Sequence, residues 1–192
     1  MRSQTFTALA ALAASLMVTA LGQAGPAAPV PPGGASVQAA VWAPKELEFQ
    51  YAGFTTKYTC DAFQQKMKEV LTMLGARQLQ VRSGGCLGTG APETVTGVHI
   101  KMNVLQPATG AAKDGAVPAL WRPVDLLAGR DPVDAATDCE LIEQIQLKIL
   151  PLFATRNVQY SSACAAHQPV PGGTKLKADV LMPEYGSASA SH

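Results

Sequence analysis

Two stretches of the chain follow the same plan, and that echo limits the fold more than any other feature. Cys60 to Cys86 reads cysteine, amphipathic segment, glycine, alternating segment, cysteine. Cys139 to Cys164 repeats the order with nearly the same spacing. In the first copy Phe63, Met67, Val70, Leu71 and Leu74 fall at helical intervals. Gln64, Gln65, Lys66, Lys68 and Glu69 take the opposite side, which predicts a helix with one apolar face. Thr59 or Asp61 can accept hydrogen bonds from its first free amides. Gly75 stands where a left-handed residue would end it. Gln78 to Arg82 then alternates polar and apolar residues, as a half-buried strand does.

The lengths of these segments suggest how the cysteines pair. A helix from about Asp61 to Leu74 rises roughly 20 Å. A strand from Gln78 to Gly84 returns over a similar length at ~3.3 Å per residue. An antiparallel return brings Cys86 beside Cys60, and the same estimate brings Cys164 beside Cys139. Four cysteines allow three connectivities. The echo favours 60–86 with 139–164, each bridge worth roughly 3 kcal/mol in chain-entropy terms.

The flanking segments extend the parallel. Leu47, Phe49 and Tyr51 alternate with Glu46, Glu48 and Gln50 ahead of the first helix. Val98 to Val104 alternates after Cys86, and Lys175 to Leu181 after Cys164. Asn103-Val104-Leu105-Gln106-Pro107 echoes Asp179-Val180-Leu181-Met182-Pro183. Ile142, Ile145, Ile149, Leu152 and Phe153 give the second helix its face, and Val158 and Tyr160 its following strand. Thr137 and Glu140 have capping-box spacing. Pro151 inside the second helical pattern should kink or end it early. Gln146 replaces the apolar Met67, and the prolines between Val117 and Asp138 leave the strand there open. The expected fold is α+β. It is a two-layer sandwich with two helices on one face of a mainly antiparallel sheet, built from a duplicated β-α-β-β unit.

The remaining segments divide the chain. Residues 1–24 combine Arg2, an apolar run from Thr7 to Leu21 and small residues at Gly22 and Ala24, the pattern of a secretory signal peptide. That run of about 15 residues is shorter than the ~20 a membrane span needs. No stable membrane insertion is expected after cleavage. Residues 25–43, rich in Pro, Gly and Ala, are expected to be a disordered linker. One disulfide-stabilised domain is expected over 44–185, with repeats at 44–107 and 117–185, and a flexible tail over 186–192. Export and an even cysteine count agree with an oxidising compartment, periplasmic or extracellular.

The block Gly53-Phe54-Thr55-Thr56-Lys57-Tyr58-Thr59-Cys60-Asp61, with Leu74-Gly75-Ala76-Arg77 after it, resembles a group of uncharacterised secreted proteobacterial proteins. The resemblance covers roughly Phe49 to Cys86. It implies a Gram-negative periplasmic or secreted location and carries over neither an activity nor site residues.

The sequence offers little catalytic chemistry. There is no nucleophile-elbow motif and no phosphate loop. The cysteines lack Cys-x-x-Cys spacing and no His-x-x-x-His occurs, so no metal site or cofactor is expected. Zinc and a reactive thiol at a helix start remain alternatives to bridges at Cys60 and Cys139. His192 belongs to the tail, His167 to a loop, and His99 to the polar side of its strand. The formal charge of +1 gives no reason to expect nucleic acid. One surface stands out. The polar sides of two strands carry His99 and Lys101, and Lys175 and Lys177, which would lie on the uncovered sheet face if the two repeats pack symmetrically. The expected function is a non-enzymatic module binding a protein or envelope component through charge and hydrogen bonds. The alternatives are a small extracellular hydrolase or redox protein, or an inhibitor of a secreted enzyme. A histidine held by a carboxylate in a cleft would favour the enzyme.

Overall fold

The structure, a computed structural model, describes residues 36–86, 90–109, 114–127, 132–134, 137–162, 164 and 174–184. The signal peptide, the tail, His167 and His192 lie outside the described residues. Strands β1 (Gln38–Ala52), β2 (Arg77–Gly84), β3 (Val95–Pro107), β4 (Val117–Asp125), β5 (Thr155–Ser161) and β6 (Lys175–Pro183) form one antiparallel sheet. Its order is β2-β3-β1-β4-β6-β5. Helix α1 (Cys60–Met73) follows β1, and α2, starting at Cys139–Gln144, follows β4. The class is α+β.

β1 is longer than the alternating residues before Cys60 suggested. It begins at Gln38 and takes in the last residues of the stretch expected to be linker. It pairs with β3 from Ala40↔Pro107 to Ala52↔Val95. On its other side it meets β4 only through Gln38–Ala40 against Val117–Ala119. Pro44 and Pro123 both stand beyond this short shared ladder, where each strand has one neighbour. A proline fits there because one side of the strand needs no donor.

α1 follows the sequence reading closely. Thr59 Oγ1 accepts from the Ala62 amide at 3.2 Å. Phe63, Met67, Val70 and Leu71 are buried. Gly75 adopts φ +86°, and the Ala76 amide reaches the Leu71 carbonyl at 3.0 Å, closing the helix. The second helix departs from regularity where expected. After Gln144 it widens to a π-helical segment over Ile145–Ile149 and tightens to a 3-10 turn over Leu150–Leu152. Pro151 has no amide to donate and its ring crowds the preceding turn, so regular α-hydrogen bonding cannot continue through it.

The capping box at Thr137 and Glu140 does not form. Asp138 is the N-cap, and its side chain makes no capping bond. Glu140 instead accepts from the Phe54 and Thr55 amides at 2.8 and 3.0 Å. Its carboxylate satisfies the chain entering α1 rather than its own helix.

Both helices share one core. Phe49, Tyr51, Phe63 and Leu71 join Ile142, Ile145, Ile149 and Val180 in a single buried cluster. In β3, Val98, Ile100, Met102 and Val104 face it. β1 bows around the helices. Gln144 Nε2 donates to the Ala52 carbonyl, and Gln106, paired with Val41, donates to the Leu152 carbonyl. Gln144 to Leu152 rises only about 12 Å. Val41 to Ala52 would span about 36 Å if straight. Long glutamine side chains cover part of that difference, and curvature of the strand covers the rest.

The bridges join Cys60 to Cys86 and Cys139 to Cys164, with Cα–Cα separations of 6.1 and 5.8 Å. Each ties the start of a helix to the region just past the following strand.

Candidate functional site

Polar chemistry collects in two kinds of place, one sealed and one open. The sealed one is Asp138, whose side chain is 3% exposed. The Tyr58 hydroxyl donates to Oδ1, Lys66 Nζ lies 2.6 Å from Oδ2, and the Asp134 amide donates to Oδ2 at 2.9 Å. Lys66 also donates to the Pro132 carbonyl. Burial, helped by the negative charge of Asp138, pushes the Tyr58 phenol far above its ordinary value. Burial and the nearby Glu140 carboxylate push Tyr51 the same way. Phenols so shifted stay protonated at neutral pH and serve as donors. Three donors from the protein converge on Asp138, so the network ties the start of the second helix to α1 and the segment leading into it. Nothing in the sequence brought these residues together, because a buried Lys–Asp–Tyr set across distant segments leaves no local pattern.

The open place is the sheet face away from the helices. Ladder register puts His99, Lys101, Lys175 and Lys177 all on this face. His99 Nε2 and Lys101 Nζ share Glu46 Oε1, at 2.8 and 2.9 Å. Lys177 Nζ lies 2.7 Å from Asp125. Burial raises the Asp125 carboxyl, but hydrogen bonds from Lys177 and the Leu127 amide, with the lysine's charge, outweigh it and hold the group below its ordinary value. Lys175 is exposed. The four residues share this face but fall at its two ends. β1 and β4 stand between β3 and β6 and leave their shared ladder in opposite directions. Glu46 and Asp125 each lie about 20 Å along their strands from it. His99 stays with Lys101, and Lys175 with Lys177, at opposite ends of the sheet.

Each end holds a shallow depression, and the two are lined by corresponding residues. One of about 300 Å³ is formed by Pro44, Glu46, Gln78, Gln80, Lys101 and Asn103, among others. It adjoins a second, of about 470 Å³, where Arg82, Ser83 and His99 contribute. At the other end, Pro123, Asp125, Asn157, Gln159, Lys177 and Asp179 shape a depression of about 570 Å³. Both are set by β-bulges. The register shifts between Arg77 and Gln80, and between Arg156 and Gln159. Gln78 and Asn157, inside these bulges, take positive φ of 49° and 52°. A hydrogen bond fixes each amide, from Asn103 to Gln78 at 2.6 Å and from Asn157 to Asp179 at 2.7 Å.

Between the two ends lies a small apolar cluster. Ala40, Leu105, Ala119 and Leu181 are buried in it, with Trp42 and Trp121 packed alongside. The Arg77 guanidinium lies over the Trp42 ring at 5.6 Å, and Arg156 over Trp121 at 4.7 Å. The sequence did carry a signal for this arrangement. Trp42-Ala43-Pro44 and Trp121-Arg122-Pro123 are separated by the same interval as Cys60 and Cys139, and as Arg77 and Arg156. The Pro-rich setting of both motifs hides them from strand periodicity.

The His99–Glu46 pair is a histidine oriented by a carboxylate, an arrangement found in general bases. It is open to water, with side-chain exposures of 38% and 54%. The nearby Ser83 hydroxyl donates instead to Gln64 at 2.8 Å, on the helix side. Among the described residues no group of three or more His, Cys, Asp or Glu is placed to hold a metal ion. None of the described helices is long and apolar enough to cross a membrane, and the two bridges fit an oxidising compartment. No protein-family model, curated protein or solved structure matches the chain.

Proposed function

We propose that the chain is a non-enzymatic binding module, periplasmic or secreted, whose open sheet face engages a protein or envelope component. The observation that carries this is the contrast between its two polar regions. The buried network around Asp138 is committed to the protein itself, whereas the open face presents lysines, amides and carboxylates in depressions that solvent reaches. The strand–helix–strand–strand order occurs twice along the chain. That order and the matched depressions support a duplicated β-α-β-β unit arranged in two layers.

The ion pairs change how such a face recognises its partner. Glu46 and Asp125 neutralise Lys101 and Lys177, so directed hydrogen bonds matter more than net charge, and screening by salt has less to remove. The test is capture of envelope material by wild type and by the Lys101→Ala, Lys175→Ala, Lys177→Ala triple variant. Capture should fall at least tenfold with little change in thermal midpoint. Undiminished capture removes the open face from the proposal.

The His99–Glu46 pair favours a second reading, hydrolysis at the His99 end. Turnover of an ester, peptide or glycan substrate that vanishes in His99→Ala would put this reading first.

A further inference from the structure

Every lining position of one depression has a counterpart in the other. Proline corresponds to proline at 44 and 123, acid to acid at 46 and 125, and glutamine to glutamine at 80 and 159. Lysine corresponds to lysine at 101 and 177, and a bulge amide stands at both 78 and 157. Side chains in contact with nothing but solvent are under no folding constraint to match. Duplication would give both depressions the same residues at the outset; Gln80 and Gln159 are both exposed, so packing does not hold them alike as the two copies diverge. In each depression a carboxylate that can accept lies within ion-pair distance of an ammonium that can donate, with primary amides alongside.

We infer that the two depressions are equivalent binding sites for a neutral polyhydroxylated ligand, and that the chain binds a repeating glycan at both sites at once. This rests on the binding reading above and names its ligand class. A sugar hydroxyl both donates and accepts, so neighbouring hydroxyls suit a carboxylate beside an ammonium or amide. A free anion suits these sites poorly, because Glu46 or Asp125 would face it. The two sites lie up to ~40 Å apart along the bowed sheet. A short oligosaccharide therefore fills one site, and a polymer or a glycan-coated surface engages both, with the gain that linked binding brings.

The experiment titrates oxidised protein with soluble hexasaccharides of β-linked glucose and of N-acetylglucosamine, and measures retention on the matching polymers. Wild type should take up two molecules of one of these hexasaccharides per chain. Glu46→Ala with Gln80→Ala should remove one site, and Asp125→Ala with Gln159→Ala the other. Each pair should lower retention on the polymer at least tenfold while the variant stays folded at the assay temperature by circular dichroism. A stoichiometry of one, or retention untouched by either pair, overturns the two-site inference. Retention on polygalacturonate but on neither neutral polymer overturns the ligand class. Failure of all three polymers, with envelope capture still lost in the lysine triple variant, sinks this inference and leaves the binding reading standing. If that capture is also undiminished, the binding reading falls as well.

Discussion

Asp138 holds three donors from three different parts of the chain, and its removal would leave the Tyr58 hydroxyl without its acceptor and Lys66 without its counter-charge. Breaking a buried charge pair by deleting one partner costs about 3–5 kcal/mol. Asp138→Ala should fall near the lower end, since Lys66 keeps 22% of its side chain exposed and the Pro132 carbonyl as acceptor. Lys68→Ala, on the outer side of α1, should stay within about 0.5 kcal/mol. Urea denaturation of both variants checks this, and equal midpoints would mean that Asp138 ties nothing together. The tyrosines give a second test. Tyr51 and Tyr58 have folded-state values raised above the ordinary 10.0. The stability this contributes is fully present below pH 10 and drains away as pH rises beyond it. Absorbance of the phenolate should show both rings silent until the protein unfolds in alkali. Ionisation of either ring in folded protein near pH 10 would contradict their burial.

The helices and most strands were legible because their apolar residues repeat at the right period. Phe63, Met67, Val70 and Leu71 give α1 its face, and Val98 to Val104 alternate cleanly along β3. The pattern of the second helix was legible too, including its disruption at Pro151. Leu71 and Ile149 are both fully buried, the latter within the π-helical segment. Leu71→Ala and Ile149→Ala should each cost about 2–5 kcal/mol in denaturant titrations. A cost at Ile149 no greater than at Lys68 would mean that the irregular helix does not fix its face. What stayed illegible has physical causes. The start of β1 is rich in alanine, with Pro44 close behind, and its strand character comes from pairing with β3 and β4 rather than from local preference. The bulges at Gln78 and Asn157 place a non-glycine residue at positive φ, which tertiary hydrogen bonds to Asn103 and Asp179 sustain. His99 and Lys101 were placed on the right face of the sheet. Their distance from Lys175 and Lys177 depends on strand order, which periodicity does not encode.

At the scale of the whole molecule, the sheet is narrow where it should be weakest. Within the described sheet, the ladder between the half containing β1 and the half containing β4 is limited to Gln38–Ala40 against Val117–Ala119. Two halves so joined could unfold separately if that ladder were their whole connection. The core argues otherwise. Phe49, Tyr51 and Phe63 from the first half pack in the same cluster as Ile142, Ile145 and Val180 from the second. Glu140, Gln144 and Lys148 of the second helix all bind backbone groups between Gln50 and Thr55. Neither half can open without exposing the other's apolar surface, so one cooperative transition is expected. The chain's two tryptophans sit in the cluster beside the junction. Their fluorescence therefore reports on the join, while far-ultraviolet circular dichroism reports on all the helices and strands. In a urea titration of oxidised protein the two signals should give one midpoint and one slope. Asp138→Ala should move both together, because its network links α1 to the start of α2. A fluorescence transition at lower urea than the dichroism transition would show the halves parting first at the short ladder, with the shared core too weak to couple them.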